Sequence, residues 1–450
     1  MSHHYLDTDT TIVAPATAVG GAVIVVRLCG PKAIAIADTI FRGKRPLTQA
    51  KGYTLHYGEL VYDNGNIIDD VIVALFRAPH SYTGDDTIEI TLHGSEYIAS
   101  EVIRLAIERG ATMATPGEFT RRAFLAGKMD LCRAEAVADL IASDSRWSHN
   151  VATTQMRGSY SEKLAALRSE LLRLCSLLEL ELDFSEEDVE FADRTQLVAI
   201  LKNIDREIST LKSSFALGQA LKNGVTVAIV GEPNVGKSTL LNTLIGDDRA
   251  MVSNIAGTTR DTIEATTTID GVRYRFVDTA GLRTTDDSLE QMGIDRTYRA
   301  IDKANIILHL VSADNPEFSS ITTLNNQHYI KVINKIDCTS LSKDSYNDCI
   351  FISAKQEIGI DELRQRIHQS TDTSQLSSGS IVVSNMRHYS ALSNAQERLH
   401  IALTSLEYHT PSDLVSSDIR RILHHLGEIT GEITSDDILH NIFSNFCIGK

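Results

Sequence analysis

The chain has 450 residues, a length that fits about two to four domains, and its 42% hydrophobic and 23% charged residues are ordinary for a soluble globular protein. Its formal net charge of −16, from 43 basic and 59 acidic residues, argues against sequence-independent coating of nucleic acid, which relies on phosphate neutralisation by Lys and Arg. No run of about 18 apolar residues occurs and the first residues lack a basic region followed by an apolar core, so neither a membrane span nor a signal peptide is expected.

In chain order, residues 1–125 read as mixed α/β. Short β-branched runs at 22–28 and 70–76 alternate with turn clusters such as 63–66, and 99–109 has the spacing of an amphipathic helix. Residues 126–220 read as helical. Leu164, Leu167, Leu171, Leu174 and Leu178 recur at spacings of three and four, as do Leu197, Ile200, Leu201, Ile204, Ile208 and Leu211. Such stripes mark packed bundle helices. Residues 221–375 alternate apolar runs (225–230, 274–277, 306–311, 329–333, 350–352) with helical patterns, the expectation for a mostly parallel sheet covered on both faces. After a Ser- and Thr-rich linker around 370–380, residues 376–450 are helical again. The simplest architecture is a multidomain α/β plus α protein, in which the α/β domain is inserted into one discontinuous helical domain. The six cysteines (Cys29, Cys132, Cys175, Cys338, Cys349 and Cys447) form no C-x-x-C pair, which disfavours a zinc ribbon and fits a reducing cytoplasm.

The third zone carries five nucleotide-reading elements in order. Gly231-Glu232-Pro233-Asn234-Val235-Gly236-Lys237-Ser238 matches G-x-x-x-x-G-K-[ST] between a strand and a helix that begins near Thr239. Its backbone N–H groups suit phosphates, Lys237 suits the β- and γ-phosphates, and the Ser238 hydroxyl suits Mg²⁺. Gly257-Thr258-Thr259-Arg260-Asp261 offers a loop threonine to Mg²⁺ and the γ-phosphate. Asp278-Thr279-Ala280-Gly281 follows a strand, so that Asp278 can hold the Mg²⁺ shell and the Gly281 N–H can touch phosphate. In Asn334-Lys335-Ile336-Asp337, a carboxylate can accept from guanine N1–H and the 2-amino group, a donor pair that adenine lacks. Ser353-Ala354-Lys355 completes the set by supporting the base oxygen. Together they predict a GTP-binding, GTP-hydrolysing pocket.

One part is missing. Leu282 stands where many GTPases have a glutamine that orients the attacking water. The polar loop beyond it offers Arg283, Asp286, Asp287 and Glu290, and composition does not choose among them. No arginine finger is identifiable. A monovalent cation can fill the same electrostatic role, and the carbonyl oxygen of Asn234 suits K⁺.

The combination of the five elements resembles the Era, Der and MnmE group of bacterial GTPases. The C-terminal Phe446-Cys447-Ile448-Gly449-Lys450 narrows the resemblance to the MnmE (TrmE) family of tRNA wobble-uridine modification GTPases. So do Ser81-Tyr82-Thr83-Gly84-Asp85-Asp86 and Pro116-Gly117-Glu118-Phe119-Thr120-Arg121-Arg122-Ala123-Phe124. The resemblance covers essentially the whole chain. It implies a folate-binding and dimerisation domain over 1–125, a helical domain over 126–220 and 376–450, and an inserted GTPase domain over 221–375. It further implies a cytoplasmic homodimer. With the FAD-dependent partner MnmG this would install an aminomethyl or carboxymethylaminomethyl group at C5 of U34 in certain tRNAs. A tetrahydrofolate derivative, 5-formyl or methylene, would supply the one-carbon unit. Carried over by motif, Ser238 and Thr259 would ligate Mg²⁺, and Asn234, Ser253, Ile255 and Thr258 would ligate K⁺. The nucleotide would lie against residues 234–239, Ser253, Asn254, Ile255, Ala256, Gly257, Thr258 and Thr259, and the three later elements. Glu290 falls where the family positions the hydrolytic water, and pairing of two GTPase domains would complete the pocket. Arg27, Glu89, Lys128 and Lys450 match folate-contacting positions, and Cys447 matches a cysteine important for the modification. In place of the family's Pro-Pro-Gly-Arg-type stretch stand residues 16–21, so the folate-side loop is expected to differ in shape. The alternative is a ribosome-assembly or regulatory GTPase, whose relatives usually add an RNA-binding module after the GTPase domain. The tail here has no KH-like G-x-x-G signature.

Overall fold

The computed structural model describes residues 9–18, 20–183, 194–246, 264–278, 300–324, 327–339, 346, 348–371, 381–408 and 410–449. The chain divides into two compact units, Met1–Ala138 with Tyr160–Arg168 and Leu423–Lys450, and Asp139–Ser159 with Ser169–Ile422.

The first unit is built on a seven-stranded sheet. Its strands are β1 (Ile12–Pro15), β2 (Val23–Cys29), β3 (Phe41–Gly43), β4 (Thr54–Val61), β5 (Ile67–Phe76), β6 (Thr87–His93) and β7 (Thr112–Met113), in the order β3-β4-β5-β6-β2-β1-β7. Every pair is antiparallel but β1–β7. The two-residue period of a strand sorts the side chains: in β5, Val71, Val73 and Leu75 enter the core while Asp70 and Ile72 are exposed. Helices Ala33–Ile40 and Glu96–Glu108 bring Ile36, Ala37, Ile40, Ala99, Val102 and Leu105 to the same core. The second helix starts where the Ser95 hydroxyl accepts from the Ile98 N–H, satisfying one of the unpaired donors of its first turn. The β2–β6 register sets Arg27 directly opposite Glu89.

The second unit holds a six-stranded sheet of β8 (Val225–Val230), β9 (Glu264–Ile269), β10 (Val272–Asp278), β11 (Ile306–Ser312), β12 (His328–Asn334) and β13 (Cys349–Phe351), in the order β13-β12-β11-β8-β10-β9. It is parallel except for the β9–β10 hairpin. All six residues of β8 are buried, because its two faces feed two cores. Val227 and Ile229 pack with Leu240 and Leu244 of helix Lys237–Ile245 and Leu363 of helix Ile360–Gln369. Ala228 and Val230 pack with Ile301 and Ala304. This double burial is why the strand reads as an apolar run interrupted only by Thr226.

Helices from both sides of this sheet in sequence pack on one another. Helix Arg194–Ser213 buries Leu197, Leu201, Ile204, Ile208 and Leu211, and helix Met386–Glu407 buries Leu392, Ala395, Leu399 and Ala402. Gln396 ties them, donating to Asp205 Oδ1 at 2.8 Å and accepting from Lys212 Nζ at 2.8 Å. The α/β segment is therefore inserted within a discontinuous helical one, as the alternating zones of the sequence suggest. Among the described residues no helix is long and apolar enough to cross a membrane.

Candidate functional site

The first cluster of candidate site residues lies at the carboxyl ends of the parallel strands, where an open α/β sheet binds its ligand. The chain leaves β8 at Gly231, turns through Asn234 with φ of 64°, and enters helix Lys237–Ile245 at Gly236. Gly236 has φ of +100°, and a Cβ there would stand 2.3 Å from Asn334 Nδ2, so only glycine fits. Lys237 is buried and donates from Nζ to the carbonyls of Gly231 at 2.6 Å and Glu232 at 2.7 Å. Its ammonium is thus held along the loop, next to the N-terminal end of the helix, where partial positive charge gathers. Val235 is buried below the loop, whereas Asn234, Ser238 and Thr239 are exposed on its outer side. A cradle of backbone N–H groups, a lysine and a serine at a helix start suits a polyphosphate with Mg²⁺.

Asn334, at the end of β12, joins three of the sequence elements. It is buried, donates from Nδ2 to the Val235 carbonyl at 2.9 Å and accepts at Oδ1 from the Ala354 N–H at 2.9 Å. The Thr243 hydroxyl donates to the Ala354 carbonyl at 2.9 Å from the helix that follows the P-loop. Lys335 turns with φ of 66°, a backbone conformation rare outside glycine, and Asp337 and Lys355 are exposed beyond it. Hydrogen bonding from the buried Ser353 hydroxyl, above all, holds the Asp337 carboxyl below its ordinary range. Asp337 therefore stays an acceptor, the state needed to read the two N–H donors of guanine.

The β10 backbone reaches Asp278 in register with Ile229 of β8, which brings the third element alongside the P-loop strand. Thr279, Ala280, Gly281, Glu290 and residues 253–259, with Thr258 and Thr259, lie outside the described residues.

A second cluster lies in the first unit. Arg27 donates from Nε to Glu89 Oε1 at 2.8 Å and from Nη1 to the Gly449 carbonyl at 3.1 Å, and its guanidinium stands 5.3 Å from the centre of the Phe119 ring. The tail reaches this pair because helix Asp436–Ser444 and Phe446 pack with Leu131 and Ala134. The Gly117 N–H donates to the Cys447 carbonyl at 3.4 Å, and Cys447 is exposed. Tyr82 bonds Thr120 between hydroxyls at 2.9 Å; burial pushes its phenol up, and the Thr120 bond and the Arg27 charge pull it back. Lys128 donates to the Pro79 carbonyl at 2.5 Å. Lys450 lies outside the described residues.

The family described as GTP-binding protein TrmE N-terminus matches residues 11–128, and the MnmE helical domain family matches 131–447. The tRNA modification GTPases MnmE of Bacteroides fragilis, Bacteroides thetaiotaomicron and Flavobacterium johnsoniae are each 47% identical to this chain, over 98% of it and 99% of their own length. The chain belongs to the MnmE family. A solved structure of Era from Aquifex aeolicus bound to GDP.AlF4- is 25% identical, covers 38% of this chain and 66% of its own, and has a TM-score of 0.25.

For this MnmE family member, the fold brings together Gly236, Lys237, Asn334 and Ala354 in one cluster and Arg27, Glu89 and Gly449 in the other. Lys128 bonds elsewhere, to the loop around Pro79. The contacts of Thr243 and Phe119 at these clusters are not legible in the sequence. No spacing rule marks a helical threonine that reaches a distant carbonyl, and Phe119 gains its place only through the guanidinium above it.

Proposed function

We propose that this chain hydrolyses GTP and acts in tRNA modification. With an FAD-dependent MnmG-type partner, it adds an aminomethyl or carboxymethylaminomethyl group at C5 of the wobble uridine, U34. The observation that carries the reading is Asn334, which fastens the phosphate loop to the base-side loop in a chain of this family. Lys237 binds the β- and γ-phosphates, and Asp337 selects guanine.

Leu282 cannot orient water; by the chain's likeness to the family, Glu290 would take that role, and Asn234 with Ser253, Ile255 and Thr258 would hold K⁺. Ser238 and Thr259 would hold Mg²⁺, which would neutralise phosphate charge. The exposed Ser238 at the helix start suits that ligand set. A tetrahydrofolate derivative, which supplies the one-carbon unit, is held by Arg27, Glu89, Lys128 and Lys450. The guanidinium–carboxylate pair offers both donors and an acceptor to such a ring. Cys447 serves the modification itself. Residues 1–125 carry this folate site and dimerisation, 221–375 the GTPase, and 126–220 with 376–450 the helical scaffold. The setting is the cytoplasm.

Mass analysis of wobble nucleosides with and without this protein tests the reading. Loss of the C5 substituent in a deletion strain, restored by the chain and not by Lys237→Ala, is the expected result. Normal wobble nucleosides in the deletion strain would sink it.

A further inference from the structure

Strands β8 and β10 carry the nucleotide loops at their carboxyl ends, and both are gripped at their amino ends by one short segment of the second unit. Lys222, three residues before β8, pairs with Asp139 at 2.7 Å. Arg273, the second residue of β10, pairs with Asp144. The Trp147 N–H donates to the Gly271 carbonyl at 3.4 Å, and Trp147 and Val151 of helix Arg146–Met156 pack against the core that contains Val225, Val272 and Tyr274. The strands are parallel, with Val225 opposite Tyr274. About 20 Å of extended chain therefore separates these grips from Gly231 and Asp278.

The β9–β10 hairpin is a tight connection, paired without a register shift from Val272–Ile269 to Val277–Glu264. Its two-residue turn, Asp270-Gly271, has φ of 50° and 79°, the left-handed pair that matches the twist of a tight hairpin. In sequence the hairpin joins Gly257–Asp261 to Asp278–Gly281, the two elements that touch the γ-phosphate under the function proposed above. The turn abuts Arg146 and Trp147, so a displacement carried along the hairpin would reach them. Both ion pairs are partly exposed, so they exchange with water at small cost, as a reversible contact requires.

We propose that Asp139–Lys222, Asp144–Arg273 and Trp147–Gly271 form a latch that reports the nucleotide state of the GTPase sheet to helix Arg146–Met156. These are positioning residues, remote from the reacting atoms. The inference rests on the proposed GTP chemistry, and its test separates the two.

Trp147 is the single tryptophan of the chain and gives an intrinsic probe. In the full-length protein, its emission is compared with GDP bound and with GDP plus aluminium fluoride in K⁺, while calorimetry on the same samples measures nucleotide binding. The expected result is a difference of at least about a tenth in intensity. Asp144→Ala and Arg273→Ala each reduce it by half or more, the double variant is no worse than either, and GDP affinity stays within about threefold. The charge reversal Asp144→Arg with Arg273→Asp restores part of it. A wild-type signal that is identical in the two states despite saturated binding overturns the latch alone, as does a full signal in both single variants. Absence of nucleotide binding overturns the GTPase reading and the latch with it. Should an alanine variant melt early, Asp144→Asn replaces it, because it removes the charge and keeps the shape.

Discussion

Single side chains set the chemistry of the nucleotide pocket. Asn334 is buried and fully engaged, so Asn334→Ala leaves the Ala354 N–H and the Val235 carbonyl without their partner. Stranding buried polar groups costs about 1–3 kcal/mol. The variant is expected to melt earlier and to lose GDP affinity at least tenfold by calorimetry. Asp337 tests a different term. The Ser353 hydroxyl lowers its carboxyl pKa, so the charged acceptor persists as pH falls through the ordinary carboxylate range. A depressed group contributes above its ordinary pKa and loses that contribution only as pH drops through the lowered one. Ser353→Ala is expected to move the acid limb of guanine-nucleotide binding to higher pH, with affinity near neutrality reduced less than at pH 4. An unchanged acid limb would remove Ser353 from this role. Both residues were legible as motif members, but their bonds were not. Nothing in the spacing of Asn334 and Ala354 says that one side chain joins two loops.

Elements explain which parts of the fold could be read and which could not. Strands β8 and β11 are buried on both faces, so Val225–Val230 and Ile306–Ser312 appear in the sequence as mostly apolar runs, interrupted by Thr226 in the first and by His309 and the terminal Ser312 in the second. Helix Glu118–Leu125 escapes such reading. It buries Glu118, Arg121 and Arg122 beside Phe119, a pattern that looks like a solvated face until the partners are known. Arg122 donates to the Thr10 carbonyl at 2.6 Å and to Glu118 at 3.0 Å. The tail is a further case, because its place depends on helix Asp436–Ser444. Phe443 is fully buried, with its ring 5.3 Å from Phe446 and 6.4 Å from Phe124. Phe443→Ala removes that anchor, and truncating a buried phenylalanine costs about 3–5 kcal/mol. The expected outcome is a lower melting temperature and loss of wobble modification by nucleoside mass analysis, with GTP turnover changed less than twofold. A parallel loss of turnover would show that the tail also supports the GTPase.

At the scale of the whole molecule, the question is how a pocket with Leu282 in place of the usual glutamine, and with no arginine finger identifiable in its sequence, accelerates hydrolysis. Phosphoryl transfer needs a placed water and positive charge at the bridging and γ oxygens. Leu282 supplies neither, and Lys237 supplies only part of the charge. Under the proposed function, a cation held by Asn234 would supply a second positive charge, and closing the cation site with a second copy of the domain would exclude water that screens it. The proposed mechanism therefore makes hydrolysis depend on the identity of a monovalent ion, whereas a pocket with its own arginine would not discriminate. GTP turnover is expected to be at least tenfold faster in K⁺ than in Na⁺ at equal ionic strength, measured as phosphate release. Asn234→Ala should abolish that difference, because its carbonyl oxygen is the ligand. Glu290→Ala should retain GTP binding and lose turnover by at least a hundredfold in both salts, because water placement and charge neutralisation are separate requirements. Equal wild-type rates in the two salts would remove Asn234 from the metal site. Normal turnover in Glu290→Ala would require another residue of the 282–292 stretch to orient the water.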